Sequence, residues 1–580
     1  MKKTKIKLIR FVSVLLLIMT AAQLLVSCTK EPDTNTEGTG ETTDGSGENV
    51  DTSQTEPPAN ENVLQPLVID GVAQYCVVYD KEGIENTAYL AGNVVKKLNE
   101  VSQNVVFFER FNIDKIPTEG YKYIFVGKVG KYTEKIYSEL KYKDYSITVE
   151  DGNIYIAGWT ETALQNVLEH FYTAFVIDGG ISYIDTQKVK YSRKVVYDLP
   201  LIELCNVSLS EYSIIYGDDF SGAYAQKVSN ILGELTGNVI SVYRDTEKAV
   251  SEYEILFGKT NRNPNDELLE KRISVKVDGT RLKVLFDDDV AAEMICGAFL
   301  DAAYKANPKE VFKVEQLATE MTLDDSIRMA TYNVLWGWTD DDSSRGKKIC
   351  ELVIKNNIDI LCLQEYTDEN RNSKYGIMKQ LSDIYSEVTV NGQDMNKVWC
   401  PIFYNKDKFT LINSGTADMY ENGVPCQEYF TESGARNTWH RRVLWGILED
   451  KVTKQRYLIG NLHTSANGAT HGSEAQFIMS QLAAVRAQYP DAVVLVAGDY
   501  NSYPGSAACG AMMNSGYLNT NDLAHIKGRN VARMNIVGID QILAANNHSI
   551  TVEAYVSLYW RGISEFSDHT PVVISFKRNS

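Results

Sequence analysis

The sequence has no surplus of positive charge. It contains 58 Lys and Arg residues against 76 Asp and Glu residues, which gives a formal net charge of -18. From Ile327 onward the balance is nearly neutral, with 24 basic and 26 acidic residues, so most of the acidity lies upstream. Tight, sequence-independent binding to nucleic acid needs a basic surface that neutralises phosphates. The composition therefore gives no support for that class of protein.

Cysteine is scarce and scattered along the chain. There are nine cysteines, and no two of them form a CxxC pair. A thiolate zinc site needs closely spaced ligands, and a disulfide scaffold needs a dense cysteine framework. Neither class is indicated here, and the sequence leaves open which cysteines, if any, pair with one another.

The N-terminal segment lacks the length of a membrane-spanning helix. Five basic residues precede an apolar run over 11–25, and about 15 apolar residues fall short of the roughly 20 that a span needs. The following Leu-Val-Ser-Cys, which ends at Cys28, resembles the lipobox of bacterial lipoproteins. This resemblance implies a signal peptide over 1–27, a lipid on Cys28, and a cell-membrane location on the extracytoplasmic face. The alternative is an ordinary secreted protein.

Residues 28–64 form a predicted linker. The segment 31–60 holds eight acidic residues and no Lys or Arg, and it is rich in Thr, Gly and Ser. Such a composition cannot bury enough apolar surface to fold. We expect a disordered acidic tether that holds the folded part away from the membrane.

Residues 65–198 and 199–322 are predicted to be two repeated small α/β units. Each has an amphipathic helix, a strand that ends in Gly-Lys, a hairpin and a second helix, in this order. Asp151-Gly152 and Asp278-Gly279 are the expected hairpin turns. The Gly-Lys pairs lack the glycine-rich spacing of a phosphate-binding P-loop. A glycan or another surface protein is a candidate partner of these units.

Residues 323–580 are predicted to form a third domain. Its apolar runs are short and β-rich, and amphipathic stretches separate some of them. We expect an α/β (α+β) fold in which two packed mixed sheets are flanked by helices, a four-layer sandwich.

Polar side chains follow several of these predicted strands where each strand ends. The residues that close such strands are Asn333, Glu365, His463, Asp499 and Asn501, while Asp540 lies in GIDQIL, and Asp568 and His569 precede the last strand. Strands of one sheet that end in this way gather such groups at one edge. Asp499 and Asn501 are two residues apart, so strand alternation predicts that they point to the same face.

The motifs ATYNVLWG, LQEY, NLHTS, GDYNSYP, GIDQIL and SDHTPV resemble, in order, the signature series of the endonuclease/exonuclease/phosphatase superfamily. This superfamily includes pancreatic-type deoxyribonucleases, abasic-site endonucleases, bacterial sphingomyelinases and inositol polyphosphate 5-phosphatases. The resemblance covers about 250 residues. It implies a metal-dependent phosphoester hydrolase.

The resemblance also implies a metal site. Glu365 is expected to bind Mg²⁺ (or Mn²⁺), with Asn333 in or beside its coordination shell and Asp568 as a further ligand. Carboxylate and amide oxygens suit this hard, octahedral ion.

The remaining residues take catalytic roles by the same resemblance. Asp499 and Asn501 are expected to position the attacking water and the scissile phosphate, while His463 donates to a phosphate oxygen or to the leaving group. His569 completes the acid–base apparatus, with Asp540 or Asp568 fixing its ring and raising its pKa.

The sequence departs from the family pattern at one position. Many members carry an acid two residues after the motif histidine His463, and here that position is Ser465. A partner acid for His463 must come from elsewhere or be missing.

Nearby basic and histidine residues receive weaker assignments. His440, His471, His525 and His548 are expected to be surface residues. Arg441 and Arg442 either touch substrate phosphate or form a solvated edge.

Three functions remain open at this point. The leading one is a surface-anchored phosphodiesterase that uses a metal-assisted in-line attack of water. An extracellular nuclease or a sphingomyelinase-like phospholipase of the same family is an alternative, with nucleic acid only as a substrate. A non-catalytic binding protein, in which the repeats bind glycan or protein, is the third.

Overall fold

The computed structural model describes most of the chain after the predicted linker. It covers residues 63–579, except for 85, 105, 118–119, 269–270, 324, 336–342, 374–375, 427–428, 431–435, 438–440, 467, 529–537, 546–549 and 559–566. The predicted signal peptide, Cys28 and linker residues 28–62 lie outside the described residues. Val63 accepts a hydrogen bond from the backbone of Thr186, and Leu64 begins the first strand. The fold therefore includes two residues that the prediction gave to the linker.

The first α/β unit is built on a six-stranded mixed sheet. Its strands in spatial order are β11-β7-β8-β6-β4-β5, and β1-β10-β9 form a smaller sheet beside it. The strands are β1 Leu64–Pro66, β2 Val68–Ile69, β3 Val72–Ala73, β4 Tyr75–Tyr79, β5 Arg110–Asn112, β6 Lys122–Val126, β7 Tyr145–Glu150, β8 Asn153–Gly158, β9 Phe175–Asp178, β10 Ile181–Asp185 and β11 Tyr191–Arg193; the helices are α1 Thr87–Val101, α2 Gly130–Glu139 and α3 Glu161–Tyr172.

The second α/β unit repeats this topology. Its six-stranded sheet has the order β20-β17-β18-β16-β14-β15, with parallel and antiparallel pairs at the same places as in the first unit. The elements are β12 Ile202–Leu204, β13 Val207–Ser208, β14 Ser213–Tyr216, β15 Val242–Arg244, β16 Glu254–Phe257, β17 Arg272–Asp278, β18 Arg281–Leu285, β19 Phe312–Lys313 and β20 Thr319–Thr322, with helices α4 Asp219–Thr236 and α5 Asp289–Lys305. Sequence duplication and the division into independent domains stay predictions.

The two expected hairpins form, but the second turn is displaced by one residue. In the first, Glu150 pairs with Asn153, so Asp151 and Gly152 make the turn with positive φ angles. In the second, Asp278 still pairs with Arg281, and residues 279–280 make the turn. An Asp-Gly pair thus located both hairpins without fixing their register.

The C-terminal region contains two further large sheets. One has the order β23-β24-β22-β21-β35-β34-β32, and the other has the order β25-β28-β29-β30-β33-β31. The strands are β21 Ile327–Asn333, β22 Ile360–Gln364, β23 Tyr385–Glu387, β24 Ile402–Asn405, β25 Phe409–Asp418, β26 Tyr429–Phe430, β27 Arg436–Asn437, β28 Arg442–Asp450, β29 Arg456–His463, β30 Val493–Asp499, β31 Tyr517–Asn519, β32 Ile526–Gly528, β33 Asp540–Ala545, β34 Ile550–Ser557 and β35 Val572–Arg578. The helices are α6 Ser343–Lys355, α7 Asp368–Asn372, α8 Ile377–Leu381, α9 His471–Gln488, α10 Ala507–Asn514 and α11 Thr520–Leu523.

The two C-terminal sheets pack face to face and helices cover their outer faces. Buried residues such as Met329, Ile459, Leu495 and Ile574 form the core between the sheets. Helices α9 and α10 cover the outer face of the second sheet. The predicted four-layer α/β sandwich is confirmed.

The outer face of the first C-terminal sheet is covered partly by the preceding unit. One apolar core joins α4 and α5 of the second α/β unit to α6, β21, β22 and β34. Nearly every described side chain of α5 is buried. A helix that precedes the predicted boundary at residue 322 therefore serves as part of the fourth layer.

A buried polar group accompanies this apolar contact, and we call it the interface cluster: Asp288, Asp289, Arg328, Lys355 and Asn356. Arg328, at the start of β21, donates to Asp288 at 2.6 Å and to the Asn356 carbonyl at 2.9 Å. Asn356 donates in turn to Asp289 at 3.0 Å, and Lys355 lies 3.7 Å from the same carboxylate. Two acids thus face two bases across the contact.

Within the described residues, no helix combines the length and the apolar character that a membrane crossing needs.

Candidate active site

Strand register brings three of the predicted residues side by side. His463 ends β29, Asp499 ends β30 and Asp540 begins β33, and the sheet pairs His463 with Asp499 and Asp499 with Asp540. Asp499 and Asp540 share the inner face with the core residues two positions away, Ala497 and Ile542, and His463 shares it with Ile459, four positions away. All three are at least nine-tenths buried. The inner face therefore changes from apolar to polar at this edge of the sandwich.

The opposite sheet supplies Asn333 at the end of β21. Its amide group donates to Asp499 at 3.0 Å and to Glu365 at 3.2 Å. We name the group formed by Asn333, Glu365, His463, Asp499, Asp540 and His569 the edge cluster. It spans both sheets at one end of the sandwich.

Glu365 reaches the edge cluster through an unusual backbone conformation. Cys362 and Gln364 of β22 face inward, so simple alternation would turn residue 365 outward. The φ of Glu365 is +59°, which lies in the left-handed region and ends the alternation. This conformation returns the carboxylate to Asn333, and such departures are common at functional sites.

Asn501 also lies beyond its strand. Strand β30 ends at Asp499, and the φ of Asn501 is +43°, so the expected shared strand face is not the reason for its position. Its backbone N–H donates to the Asp499 carboxylate at 2.8 Å, and its amide group donates to the Thr464 carbonyl at 2.9 Å. A turn, rather than alternation, brings the Asn501 backbone N–H to the Asp499 carboxylate.

Gly498 permits the close pairing of β29 and β30. A Cβ atom at this position would lie 2.2 Å from the Leu462 carbonyl oxygen, too close for any side chain. Glycine is therefore required immediately before Asp499.

His569 is fixed by Asp540. Its Nδ1 lies 2.7 Å from the Asp540 carboxylate, while its Nε2 lies 3.7 Å from Asp499. Asp568 is mostly exposed and its carboxylate is 3.9 Å from the same ring. Of the two acids considered from the sequence, Asp540 is the one that orients the imidazole. The metal and catalytic roles of Asp568 stay predictions.

Ser567 connects the last motif to the first. Its hydroxyl donates to the Asn333 carbonyl at 2.7 Å and accepts from the His569 backbone at 3.1 Å. Sequence reasoning missed this residue, although it immediately precedes the predicted Asp568-His569 pair.

Two carboxylates of the edge cluster, those of Asp499 and Asp540, have pKa values above their usual range. Burial, followed by the charge of Asp540, raises the pKa of Asp499 to about 6. Burial likewise raises the pKa of Asp540. Burial would lower the pKa of His569, but the hydrogen bond and charge of Asp540 outweigh it and raise that pKa to about 9. At neutral pH the site holds a protonated imidazole beside acidic groups.

His463 has Asp499 as its carboxylate neighbour, with 3.4 Å between His463 Nε2 and the carboxylate oxygen. Ser465, at the position where the family pattern has an acid, binds Glu474 of α9 instead, through its backbone N–H at 2.9 Å and its hydroxyl. Sequence reasoning missed Glu474 because it lies nine residues beyond Ser465.

Two other expectations for this region need revision. His471 is buried and bonds to the Ser465 carbonyl, so the prediction of a surface residue is wrong.

Arg441 and Arg442 are both buried, which excludes a solvated edge. Arg442 pairs with Asp418 at 3.0 Å, and Arg441 donates to the His463 carbonyl at 3.3 Å. His525 is exposed as expected, while His440 and His548 lie outside the described residues.

A polar link between the sheets was also missed. Gln364 donates to Asn461 at 2.7 Å and to Thr331 at 3.0 Å, and all three are fully buried. Asn461 donates onward to the carbonyls of residues 363 and 401. These partners satisfy one another, so the link holds the two sheets together behind the edge cluster.

The chemistry of the edge cluster fits a divalent cation. Glu365, Asp499 and Asp540 place three carboxylates in one cluster, and Asp540 Oδ1 is buried without a hydrogen-bond donor among the described residues. Ligand atoms of Asp499, Asp540 and His569 lie within 4.8 Å of one another. Because His569 Nδ1 and Asp540 already bond to each other, the partly exposed Glu365 is the better place for an ion. Asn333 faces Glu365 with its NH₂ group and would have to turn its amide to add an oxygen ligand.

The sequence of this region matches a known family. A model described as the Endonuclease/Exonuclease/phosphatase family aligns with residues 330–569. These residues form an endonuclease/exonuclease/phosphatase domain. The matched residues include every member of the edge cluster.

Parts of the chain are similar to other proteins. A Vairimorpha ceranae protein described as "Probable CCR4-Not complex 3'-5'-exoribonuclease subunit Ccr4" is 24% identical over 197 residues, which cover 32% of this chain and 41% of that protein. An endonuclease/exonuclease/phosphatase family protein from Bacteroides thetaiotaomicron is similar in structure, with 19% identity, a TM-score of 0.35, and coverage of 43% of this chain and 94% of that one. The chain spans less than half the length of the curated relatives that it matches.

Proposed function

We propose that the domain hydrolyses a phosphodiester by in-line attack of water. The observation that carries this proposal is the geometry of the edge cluster. It combines a buried carboxylate of raised pKa, Asp499, with an imidazole, His569, whose pKa is about 9. Groups with such opposed protonation states are what acid–base chemistry near neutral pH needs.

Asp499 is the candidate general base. With its pKa near 6, its ionised form predominates at neutral pH and can accept a proton from water. Asn333 and the Asn501 backbone each donate to this carboxylate and hold its orientation. A base held in one orientation accepts the proton of a water molecule in one defined position, and that water then attacks along one direction.

His569 and His463 are the candidate groups that neutralise the phosphate. His569 is held by Asp540 and carries a proton at neutral pH, so its Nε2 can donate to a phosphate oxygen or to the leaving group. His463 stands beside Asp499 on the neighbouring strand. Donors placed in advance where negative charge develops lower the barrier without reorganising.

Glu365 and Asn333 are the proposed ligands of Mg²⁺ or Mn²⁺, and Asp568 remains a candidate. When bound, such an ion supplies Lewis-acid stabilisation of phosphate charge. The excess of carboxylates in the edge cluster supports this choice, because that excess is costly to bury without a cation.

A phosphodiester is favoured over a monoester by sequence similarity. The curated relatives are described as exoribonucleases, which cleave phosphodiesters, although identity is low and coverage partial. Nucleic acid is a candidate substrate only, since the region from Ile327 has no basic surplus. A phospholipid diester is the second candidate.

We also propose a cellular location from the sequence alone. The lipobox-like segment supports a lipid on Cys28 and an extracytoplasmic location. The acidic composition of the segment supports a tether over 28–62. The two α/β units are candidate binding sites for a surface glycan or protein. Metabolic labelling with a radioactive fatty acid, with Cys28→Ala as control, tests the anchor.

The activity is tested with two chromogenic esters. The purified chain is assayed on bis(p-nitrophenyl) phosphate and on p-nitrophenyl phosphate, with Mg²⁺ or Mn²⁺ and with EDTA. We expect metal-dependent turnover of the diester and at least about tenfold less turnover of the monoester. Turnover of the monoester alone, or of neither ester, would overturn the proposal.

A matched pair of variants tests the metal assignment. Glu365→Gln should lower turnover by at least about tenfold. Glu369→Gln, an exposed glutamate of nearby α7, should leave turnover unchanged. Equal effects of the two substitutions would argue against Glu365 as a ligand.

A further inference from the structure

The segment that follows His463 is held by a buried acid from α9. Glu474 is fully buried, and it accepts hydrogen bonds from the Ser465 backbone at 2.9 Å, the Ser465 hydroxyl, and the Thr470 hydroxyl at 3.0 Å. His471, also on α9, bonds to the Ser465 carbonyl. Residue 465 is thus bound through its backbone N–H, its carbonyl and its side chain.

This segment is linked directly to the strand end that carries Asp499. The Thr464 carbonyl accepts the amide group of Asn501 at 2.9 Å, and the Thr464 backbone N–H donates to the Asp499 carbonyl at 3.0 Å. The Thr464 hydroxyl donates to the Tyr500 carbonyl at 2.5 Å. Residue 464 therefore sets the position of 499–501, and residue 465 sets the position of residue 464.

The carboxylate is suited to this task in a way that an amide is not. A carboxylate only accepts hydrogen bonds and offers two oxygens, whereas glutamine offers one oxygen and adds a donor. Both oxygens of Glu474 are in use, Oε2 by the Ser465 backbone and Oε1 by two hydroxyls. Glu474→Gln removes the charge, and if its oxygen stays on the Ser465 N–H, its NH₂ group faces the Ser465 and Thr470 hydroxyls, which must turn from donating to accepting.

An acid in the first turn of a helix also has a plain structural explanation. Glu474 lies near the N-terminus of α9, where negative charge interacts favourably with the helix dipole. That effect acts on stability alone. It does not depend on Asn501, and this difference separates the two explanations.

We propose that Glu474 is a positioning residue for the proposed hydrolysis, acting through the chain Ser465, Thr464 and Asn501. It holds the backbone at Ser465, the position at which the family pattern has an acid. The inference rests on the proposed function, since the residue it orients, Asn501, is a candidate phosphate-positioning group.

A double-mutant cycle tests this dependence. Glu474→Gln, Asn501→Ala and the double variant are assayed on bis(p-nitrophenyl) phosphate in the full chain. Substitutions of residues that orient an active group typically lower activity 10- to 100-fold, and we expect a loss of about this size in kcat for Glu474→Gln. In the Asn501→Ala background the same substitution should cost less than about threefold. Additive losses would overturn the proposal.

Glu387→Gln is the matched control for the loss of a buried carboxylate. Glu387 lies on the edge strand β23 of the C-terminal domain and is also largely buried. Its carboxylate pairs with Arg371. We expect a lower thermal midpoint with unchanged kcat. An equal loss of kcat in Glu387→Gln would show that the effect of Glu474 is general destabilisation, which would also overturn the proposal.

Hydrogen–deuterium exchange provides a readout that does not need activity. Peptides that cover 464–470 and 499–504 should exchange faster in Glu474→Gln than in the wild type, and Glu387→Gln should leave them unchanged. If the wild type hydrolyses neither ester, the proposed function fails, and unchanged exchange in Glu474→Gln would separately refute the positioning role.

Discussion

Strand β21 carries a buried polar cluster at each end, and the two clusters differ in how their charges are balanced. At its start, Arg328 belongs to the interface cluster, where two bases face two acids. At its end, Asn333 belongs to the edge cluster, where three carboxylates share one site with His569. The two positions are five residues apart on the same strand.

The difference teaches how to separate structural from functional polar groups. A buried charge with an opposite partner contributes to the specificity of packing, and its removal is costly. A buried group in which charges of one sign are in excess has shifted pKa values: burial and the charge of Asp540 raise the pKa of Asp499. Such an excess of charge adds little to folding stability. The interface cluster should therefore affect folding, and the edge cluster should affect activity.

Deleting the second α/β unit as a whole should have the largest effect on folding. A chain that starts at residue 199 keeps α5 and the interface cluster and should fold, because no described residue of the first unit belongs to that shared apolar core. A chain that starts at residue 323 exposes the apolar face that α5 covers, and it should aggregate or unfold. Circular dichroism and sedimentation check both. A folded, monomeric chain 323–580 would contradict the shared core.

Breaking the interface cluster should destabilise the protein by about 3–5 kcal/mol, the usual cost of removing one partner from a buried ion pair. Arg328→Ala leaves Asp288 buried without its base. Denaturant unfolding measures the effect, and kcat of the folded fraction should be retained. Arg456→Ala, which breaks the more exposed pair with Glu449, is the control and should cost less than about 1 kcal/mol.

Removing the Asp540 carboxylate from the edge cluster should lower the pKa of His569. The pKa of His569 is raised to about 9, so its ring is protonated below that pH and loses its proton above it. Asp540→Asn removes the acid that raises the pKa, and the NMR midpoint of the His569 ring in metal-free protein should fall toward 6.5. That is a fall in the midpoint of about 2.5 pH units, or roughly 3 kcal/mol.

Asp568→Asn is the control for this titration. Its carboxylate is mostly exposed and 3.9 Å from the ring, so the midpoint should move much less than in Asp540→Asn. A larger shift from Asp568→Asn would reverse the assignment of the orienting acid.

The smallest expected effect is at Ser567, which joins Asn333 to His569. Ser567→Ala removes a donor and an acceptor and should cost about 1 kcal/mol of unfolding free energy. Ser575→Ala is the matched control, because its buried hydroxyl has no hydrogen-bond partner among the described residues. Thermal denaturation compares the two, and an equal change in both would show that the Ser567 bridge contributes nothing.

Much of the edge cluster could be predicted from local sequence. Period-two alternation places Asn333, His463 and Asp499 on inner faces, because each ends a strand whose apolar residues already face inward. The same rule fails for Glu365 and Asn501, whose positive φ angles end the alternation. Strand patterns do not report such backbone departures.

Other contacts between distant segments could not be predicted from the sequence pattern. Glu474 reaches Ser465 across a loop, and Arg328 reaches Asp288 across a predicted domain boundary. Neither pair has a fixed sequence spacing, so only the folded chain shows which acid meets which partner. The shared core around α5 was missed for the same reason.

The most direct test is the turnover of bis(p-nitrophenyl) phosphate by Asp499→Asn, measured beside its thermal midpoint. Asn keeps the shape of the side chain but cannot accept a proton. We expect turnover to fall about 10³-fold, within the range for loss of a general base. The thermal midpoint should be unchanged or higher, because one of three crowded carboxylates is gone. Full turnover in Asp499→Asn, or loss of turnover only through unfolding, would contradict the catalytic assignment of the edge cluster.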